Sequence, residues 1–187
     1  ATQLQDVIDL HHYRADRINT AILKVEGDPT APPGSNANKG SQLVYKTAED
    51  ATDDARRALK LLSDGEVKKL LQAYREAMQG VHGRKRNAGW ASAGFTDGTA
   101  VPENHGERGS LLAAMRSYLA AHPEHEMNKP QPSGPPLQVT AAAALALSTT
   151  FQAALDLVGT CEGAQEQCKL LRDADYKGLF DVASGLT

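Results

Sequence analysis

The sequence has few aromatic residues, little net charge and only two cysteines. Phe, Trp and Tyr make up 5% of its 187 residues, with a single Trp, which disfavours a β-sandwich of aromatic-rich strands. The formal net charge of −3 excludes a globally basic nucleic-acid binder and a strongly acidic disordered tail. The length is sufficient to bury a hydrophobic core without disulfide or metal support.

Long apolar runs are also missing. The mean hydropathy is −0.43 and no uninterrupted run of about 18 apolar residues occurs, so we expect no membrane span.

Cys161 and Cys168 are seven residues apart, about 10.5 Å along one continuous helix, which is too far for a disulfide. They can bridge only if the helix breaks at Gly163, so the sequence leaves their pairing open.

Apolar residues recur at helical spacing along most of the chain, and we therefore expect helices separated by Gly- and Pro-rich breaks. The first helix carries a seam with alternating steps of four and three, a pattern typical of coiled coils and bundles. The seam consists of Leu4, Ile8, His11, Ala15, Ile18, Ile22 and Val25. Gly27 and the Pro-rich stretch 28–40 end this helix.

The second helix has an Ala-rich seam, which predicts close approach of a neighbouring helix. Its residues are Val44, Ala48, Ala51, Ala55, Ala58 and Leu62. Ser63 and Glu66 form an S-x-x-E capping box, which predicts that a third helix begins there. A fourth helix is expected to end at His122, because Pro123 follows. A fifth begins near Leu137, and Gly159–Gly163 is expected to separate it from a sixth.

The order of these elements repeats, with helix, Pro-rich loop, Ala-rich helix, Gly turn and helix in each half. We therefore predict an all-α fold of six helices in two similar three-helix halves, packed as an antiparallel helical bundle. The expected units are residues 1–80 and residues 107–187, joined by a Gly-rich segment at 81–106. The two units can also merge into one bundle.

The connecting segment 81–106 has no helical period and is rich in glycine. Trp90 and Phe95 lie within it, and a flexible linker would not contain such rings. We expect both rings to anchor this segment to the helices. The basic run from Arg84 to Arg86 is the one feature that suggests phosphate contacts, and in a net-negative chain it favours a solvated linker over a nucleic-acid site.

No motif for catalysis or cofactor binding is present, since the chain has no G-x-S-x-G elbow and no P-loop. We therefore predict no catalytic and no cofactor-binding residues. His122, Glu124 and His125 are potential metal ligands, with His11 as a fourth candidate. Bundle metal sites usually contain Glu-x-x-His on facing helices, which is absent here, so we expect no metal. His11 is expected to be a buried, neutral residue of the apolar seam.

One stretch resembles a known group of proteins. It reads AGFTDG at residues 93–98, followed by Val101-Pro102, Arg108, Leu111-Leu112, Tyr118 and His122-Pro123. It is similar to uncharacterised bacterial all-helical proteins, some of which carry fibronectin type III modules after the helical part. The match is best over residues 90–125. The resemblance implies a bacterial helical module and assigns no functional residue.

These observations predict a non-catalytic structural or interaction module of a larger bacterial envelope, surface or secreted protein. We expect a protein partner, no cofactor and no nucleic acid, and the seams are compatible with an oligomer. A secreted or cell-surface location is slightly favoured. One alternative is a metal-dependent helical-bundle enzyme that uses His11, His122 and His125. A second alternative is a weak nucleic-acid binder that uses the basic run at 84–86.

Overall fold

The computed structural model describes residues 2–32, 35, 39–132 and 134–185. The protein is mostly helical, with 76% helix and one small two-stranded sheet, which confirms the all-α class in its broad form. The predicted loop at 28–40 lies partly outside the described residues. The elements are α1 (Thr2–Glu26), α2 (Ser41–Leu62), a π-helical turn (Ser63–Val67), α3 (Lys68–His82), α4 (Ala88–Ser92), α5 (His105–Ala121), a 3-10 turn (Pro123–His125), β1 (Met127–Lys129), β2 (Leu137–Val139) and α6 (Ala141–Ser184).

The chain forms two contact units that are not consecutive halves. Unit 1 consists of Ala1–Asp54 and Gly159–Thr187, and unit 2 consists of Ala55–Val158. The predicted boundaries, 1–80, 81–106 and 107–187, do not coincide with these units. The reason is that α2 and α6 each contribute one part to unit 1 and the other part to unit 2.

The hydrophobic core lies in unit 2, where α3 and α5 supply most of its side chains. Leu70, Leu71, Tyr74 and Met78 are buried on one face of α3. The buried face of α5 consists of Arg108, Leu111, Leu112, Met115, Tyr118 and Leu119. In the first part of α6, Ala144 and Phe151 are buried in the same core. Burial of large apolar side chains is worth about 1.5–3 kcal/mol each, so this cluster stabilises unit 2.

The predicted break at Gly159–Gly163 is wrong, because α6 is one helix from Ala141 to Ser184. A glycine in an exposed helix interior costs only about 1 kcal/mol relative to alanine, and added side chains at Gly159 and Gly163 would meet open space. The arrangement of six helices in two similar halves is therefore not confirmed. Cys161 and Cys168 are both free, as their separation on a continuous helix requires.

The expectation of no membrane span is also wrong. By length and composition α6 could cross a membrane, since an 18-residue window within it reaches a mean hydropathy of 1.4. Only 11% of that window is buried within the protein. A search for an uninterrupted apolar run missed this helix, because its Ala, Leu and Val residues are interspersed with Ser, Thr and Gln. The mean hydropathy of the window stays high because those polar residues are few.

The buried face of α2 differs in part from the predicted Ala seam. Ala55 is buried as predicted, but Ala51 and Ala58 are exposed and Thr52 and Leu59 are buried instead. The Thr52 hydroxyl donates to the Ala48 carbonyl, 2.8 Å away, and this bond permits its burial. A pattern of apolar residues does not reveal a buried hydroxyl of this kind, because its hydrogen bond lies within its own helix.

In unit 1 the α1 seam is buried only toward its end. Val25 is buried and Ile18 and Ile22 are half-buried, whereas Leu4, Ile8, His11 and Ala15 are exposed. The prediction that His11 is a buried seam residue is therefore wrong. The backbone after α1 returns closely, since a side chain at Gly40 would lie 2.1 Å from the Val25 carbonyl oxygen. Only glycine fits at this contact.

The Pro-rich region after α5 contains a short hairpin rather than only loop. β1 and β2 pair antiparallel, with Met127 opposite Val139. The Glu126 carboxylate accepts a hydrogen bond of 2.7 Å from the Ala141 amide, which satisfies a free donor at the start of α6. The hairpin therefore connects the end of α5 to the beginning of α6 by a defined path.

Candidate functional site

The π-helical turn between α2 and α3 forms a buried polar centre in unit 2. The Arg108 side chain, 2% exposed, donates from Nη1 to Ser63 Oγ at 2.7 Å and to Asp64 Oδ1 at 2.8 Å. Its Nε donates to the Pro102 carbonyl oxygen at 2.7 Å. His105 Nδ1 lies 2.8 Å from the same Ser63 hydroxyl. The π turn therefore presents Ser63 and Asp64 together to α5.

This polar centre has a structural role. Ser63 contacts a histidine, which resembles part of a nucleophilic arrangement, but its residue is fully buried and its hydroxyl already bonds Arg108. A substrate has no access to such an oxygen. The predicted capping box at Ser63 and Glu66 does not start a helix, because the Ser63 side chain bonds α5 residues instead. We therefore assign this centre to the packing of α5 on the π turn.

The Gly-rich segment after α3 is held against the core by aromatic contacts. Trp90 and Phe95 are both buried, with ring centroids 5.1 Å apart in an edge-to-face arrangement. Trp90 Nε1 donates to the Gly83 carbonyl oxygen at 3.0 Å, and the Tyr74 hydroxyl donates to the Ala93 carbonyl oxygen at 2.9 Å. The indole N–H of Trp90 and the hydroxyl of Tyr74 therefore both have hydrogen-bond partners although their rings are buried.

A second cluster lies where α3, α5 and the 3-10 turn meet. We call His82, Tyr118, His122, Glu124 and His125 the His–Tyr cluster. The Tyr118 hydroxyl lies 3.0 Å from His82 Nε2 and 3.0 Å from His125 Nδ1. His122 Nδ1 lies 3.1 Å from Glu124 Oε1, and the His122 and His125 rings stack with centroids 5.4 Å apart.

The local sequence explains why these groups converge. Pro123 ends α5 because the residue before proline leaves the helical region, and His122 adopts φ −131° and ψ 65°. The His125 amide then donates to the His122 carbonyl at 3.0 Å, and the Glu126 amide donates to Pro123 at 3.1 Å. This tight turn folds His125 back toward Tyr118, which lies one helical turn before His122.

The environment of the cluster shifts the pKa values of its members. Burial lowers the pKa of His82, and the nearby His125 and His122 lower it further, so this ring is neutral at pH 7. Burial raises the pKa of Tyr118, and Glu124 adds to the effect. The pKa of Glu124 is lowered, first by a hydrogen bond from its own backbone amide and then by the His122 ring.

The structure brings together three of the four candidate metal ligands, although no metal was predicted. One ligand atom each from His122, Glu124 and His125 lies within 4.8 Å of the others, with both histidines half-buried and Glu124 exposed. His11 is exposed on α1 in unit 1 and is not a member of this group. His82 and Tyr118 were missed. Tyr118 precedes His122 by four residues on one helix face, a signal available from sequence, whereas no sequence signal connects His82 to either.

The basic run after α3 is exposed, from Arg84 to Arg86. The Arg86 guanidinium donates to the Thr96 carbonyl within the same loop region, so part of its hydrogen-bonding capacity is used internally. Trp90 is fully buried and offers no ring face on which a base can stack. A single-strand binding site would combine basic charge with an accessible aromatic ring, and the buried Trp90 does not supply that ring.

Comparisons with family models, with curated proteins and with solved structures found no match to this chain. The resemblance of residues 90–125 to bacterial helical proteins stays a prediction.

Proposed function

We propose that the protein is a helical interaction module in which unit 2 is the folded scaffold and unit 1 associates with a second copy of the chain. The observation that carries the proposal is the exposed half of the α1 seam. Leu4, Ile8 and Ala15 continue the spacing of Ile18, Ile22 and Val25, but their side chains are exposed. A coiled-coil seam is stable in water only when another helix covers it.

The exposed apolar surface of unit 1 extends well beyond this seam. Large apolar side chains that are at least about two-fifths exposed occur at Val7, Leu10, Tyr13, Leu43, Leu170, Leu171, Tyr176 and Phe180. Scattered single residues of this kind are normal on monomers, whereas a concentration of them is typical of association surfaces. The concentration supports association through unit 1.

A second copy is a suitable occupant because it supplies both sides of the contact. It brings an open α1 seam and it also brings the exposed rings and leucines of the last part of α6, such as Phe180. Such a contact is self-complementary, as two-fold interfaces require. The α1 segment before Arg14 carries Asp6 and Asp9 and no Lys or Arg, which disfavours docking on an anionic membrane surface.

The wider setting of this module remains part of the proposal. A place within a larger bacterial envelope, surface or secreted protein is supported by the resemblance of residues 90–125. A non-catalytic role is supported by the fully buried serine of the π turn, which bonds Arg108 and His105. The self-association at the centre of the proposal is tested by the mass of the protein in solution.

Light scattering after size exclusion, across the micromolar range, tests self-association. We expect the wild-type protein to exceed the mass of one chain, and the double variant Leu4→Glu, Ile8→Glu to elute as a monomer. Leu61→Glu is the matched control, because Leu61 in unit 2 is 70% exposed and Leu4 is 68% exposed. A wild-type protein that stays monomeric over this range would contradict the proposal. A protein that is monomeric in buffer and floats with lipid vesicles would contradict it as well.

A further inference from the structure

The turn after α5 assembles three side chains of the kind that hold transition metals. We propose that His122, Glu124 and His125 bind one divalent transition-metal ion, with Zn²⁺ as the simplest candidate. Within the residues that the structure describes, they form the one group of three or more His, Cys, Asp or Glu side chains with ligand atoms this close, within 4.8 Å. The site is independent of the proposed self-association.

The spacing of the ligand atoms suits a small metal ion. Two ligands of a tetrahedral zinc, at roughly 2.0–2.2 Å from the metal, stand about 3.4 Å apart. His122 Nδ1 and Glu124 Oε1 are already 3.1 Å apart. The other separations within the group are at most 4.8 Å, so the three ligand atoms need to approach one another by little more than 1 Å to hold a zinc ion.

The chemistry of the ligands selects the class of metal. Two imidazoles and one carboxylate favour zinc, cobalt, nickel or copper over Mg²⁺ and Ca²⁺, which prefer oxygen ligands alone. Because the group lies at the protein surface, with Glu124 exposed, a water molecule can occupy the fourth position. The proposal concerns binding and does not include a catalysed reaction.

Behind these ligands, Tyr118 and His82 orient His125. The Tyr118 hydroxyl has one proton and lies 3.0 Å from both His82 Nε2 and His125 Nδ1. When it donates to His82, it accepts from the Nδ1–H of His125, which leaves the Nε2 lone pair of His125 free for a metal. Metal-binding histidines are commonly held by such an outer hydrogen bond. Tyr118 is therefore a positioning residue.

Zn²⁺ titration of the full-length, chelator-treated protein by calorimetry tests this site, with Co²⁺ absorption as a spectroscopic probe. We expect one ion per chain and loss of at least about tenfold in affinity for His125→Ala and for Glu124→Gln. Tyr118→Phe keeps the ring and removes the hydroxyl, and we expect it to weaken binding roughly 10–100-fold, as for other outer-shell partners.

His11→Ala is the matched control, since His11 is an exposed histidine in unit 1, and it should leave affinity unchanged. Absence of stoichiometric binding would overturn the proposal, as would an equal loss in His11→Ala and His125→Ala. If a cluster variant fails to fold, imidazole NMR of the wild-type protein gives the answer. Zn²⁺ must then shift the ring signals of His122 and His125, and unchanged signals would overturn the site.

Discussion

Unit 2 and unit 1 contain similar amphipathic helices, but unit 2 buries its apolar side chains and unit 1 does not. Among the described residues, Val25 is the one buried apolar residue of unit 1, whereas the whole core cluster belongs to unit 2. The buried serines Ser63 and Ser41 differ in the same way. The Ser63 hydroxyl of unit 2 bonds His105 and Arg108, while the Ser41 hydroxyl of unit 1 is buried without a hydrogen-bond partner.

Helical periodicity therefore predicts a helix but does not predict a partner for its apolar face. Unit 2 succeeds because large rings fill the space between its elements, with Tyr74 stacked on Phe95 at 5.8 Å and near Tyr118 at 6.4 Å. The only aromatic residues of unit 1 are Tyr13, Tyr45, Tyr176 and Phe180. The first two are not packed in a core. Tyr13 is exposed, and Tyr45 lies under the Arg172 guanidinium at 4.0 Å.

The largest test of this comparison truncates a ring in unit 2. Trp90→Ala removes a fully buried side chain and its hydrogen bond to Gly83, so we expect a loss of about 3–5 kcal/mol in the free energy of unfolding. Leu43→Ala in unit 1 truncates an exposed side chain and should change the free energy by about 0.5 kcal/mol or less. Urea denaturation followed by circular dichroism measures both. Similar losses in the two variants would break the comparison.

A second test adds a methyl group in each unit. Gly94 has φ +94°, and an added side chain would lie 2.4 Å from the Cβ of Ala114, so Gly94→Ala should destabilise the protein by roughly 1–3 kcal/mol. An added side chain at Gly163, on α6 in unit 1, meets open space. Gly163→Ala should therefore raise the melting temperature slightly, since alanine favours helix by up to about 1 kcal/mol. A destabilised Gly163→Ala would show that the α6 surface is not open there.

The smallest expected effect concerns acid. The Arg108 hydrogen bond lowers the pKa of Asp64 below its usual value of 3.8, against an opposing effect of burial. Because the folded-state pKa is the lower one, the stability from this pair is present above 3.8 and is lost as pH falls through the folded-state value. We expect Asp64→Asn to melt below wild type at pH 7, with the difference shrinking as the pH is lowered below 3.8. Asp50→Asn, in an exposed ion pair with Lys46 in unit 1, should change little at either pH.

The sequence was informative where local pattern and tertiary packing agree. The buried faces of α3 and α5 carry apolar residues at helical spacing, such as Leu70 and Tyr74 or Leu111 and Met115, because both helices pack on one side only. Pro123 also ended α5 as predicted. In these places the residues needed for the local structure are also the residues that the core requires.

The sequence was misleading where a distant residue decides the outcome. Ser63 and Glu66 match a helix start, but Arg108, 45 residues away from Ser63, bonds the serine and the chain passes through a π turn instead. His82 joins the His–Tyr cluster through Tyr118, 36 residues away. A single sequence contains no signal for either pairing, because both depend on how α3 and α5 pack.

The π turn also marks a point where the chain contains one residue more than an α-helix needs. A π turn holds one residue more than an α-helical turn, so deletion of Gly65, which has open space around it, would leave an ordinary unbroken helix. Because the turn takes up its additional residue locally, Ala55 and Leu59 would keep their orientation relative to α3. The change would be confined to Ser63 and Asp64, which would no longer be presented together to Arg108.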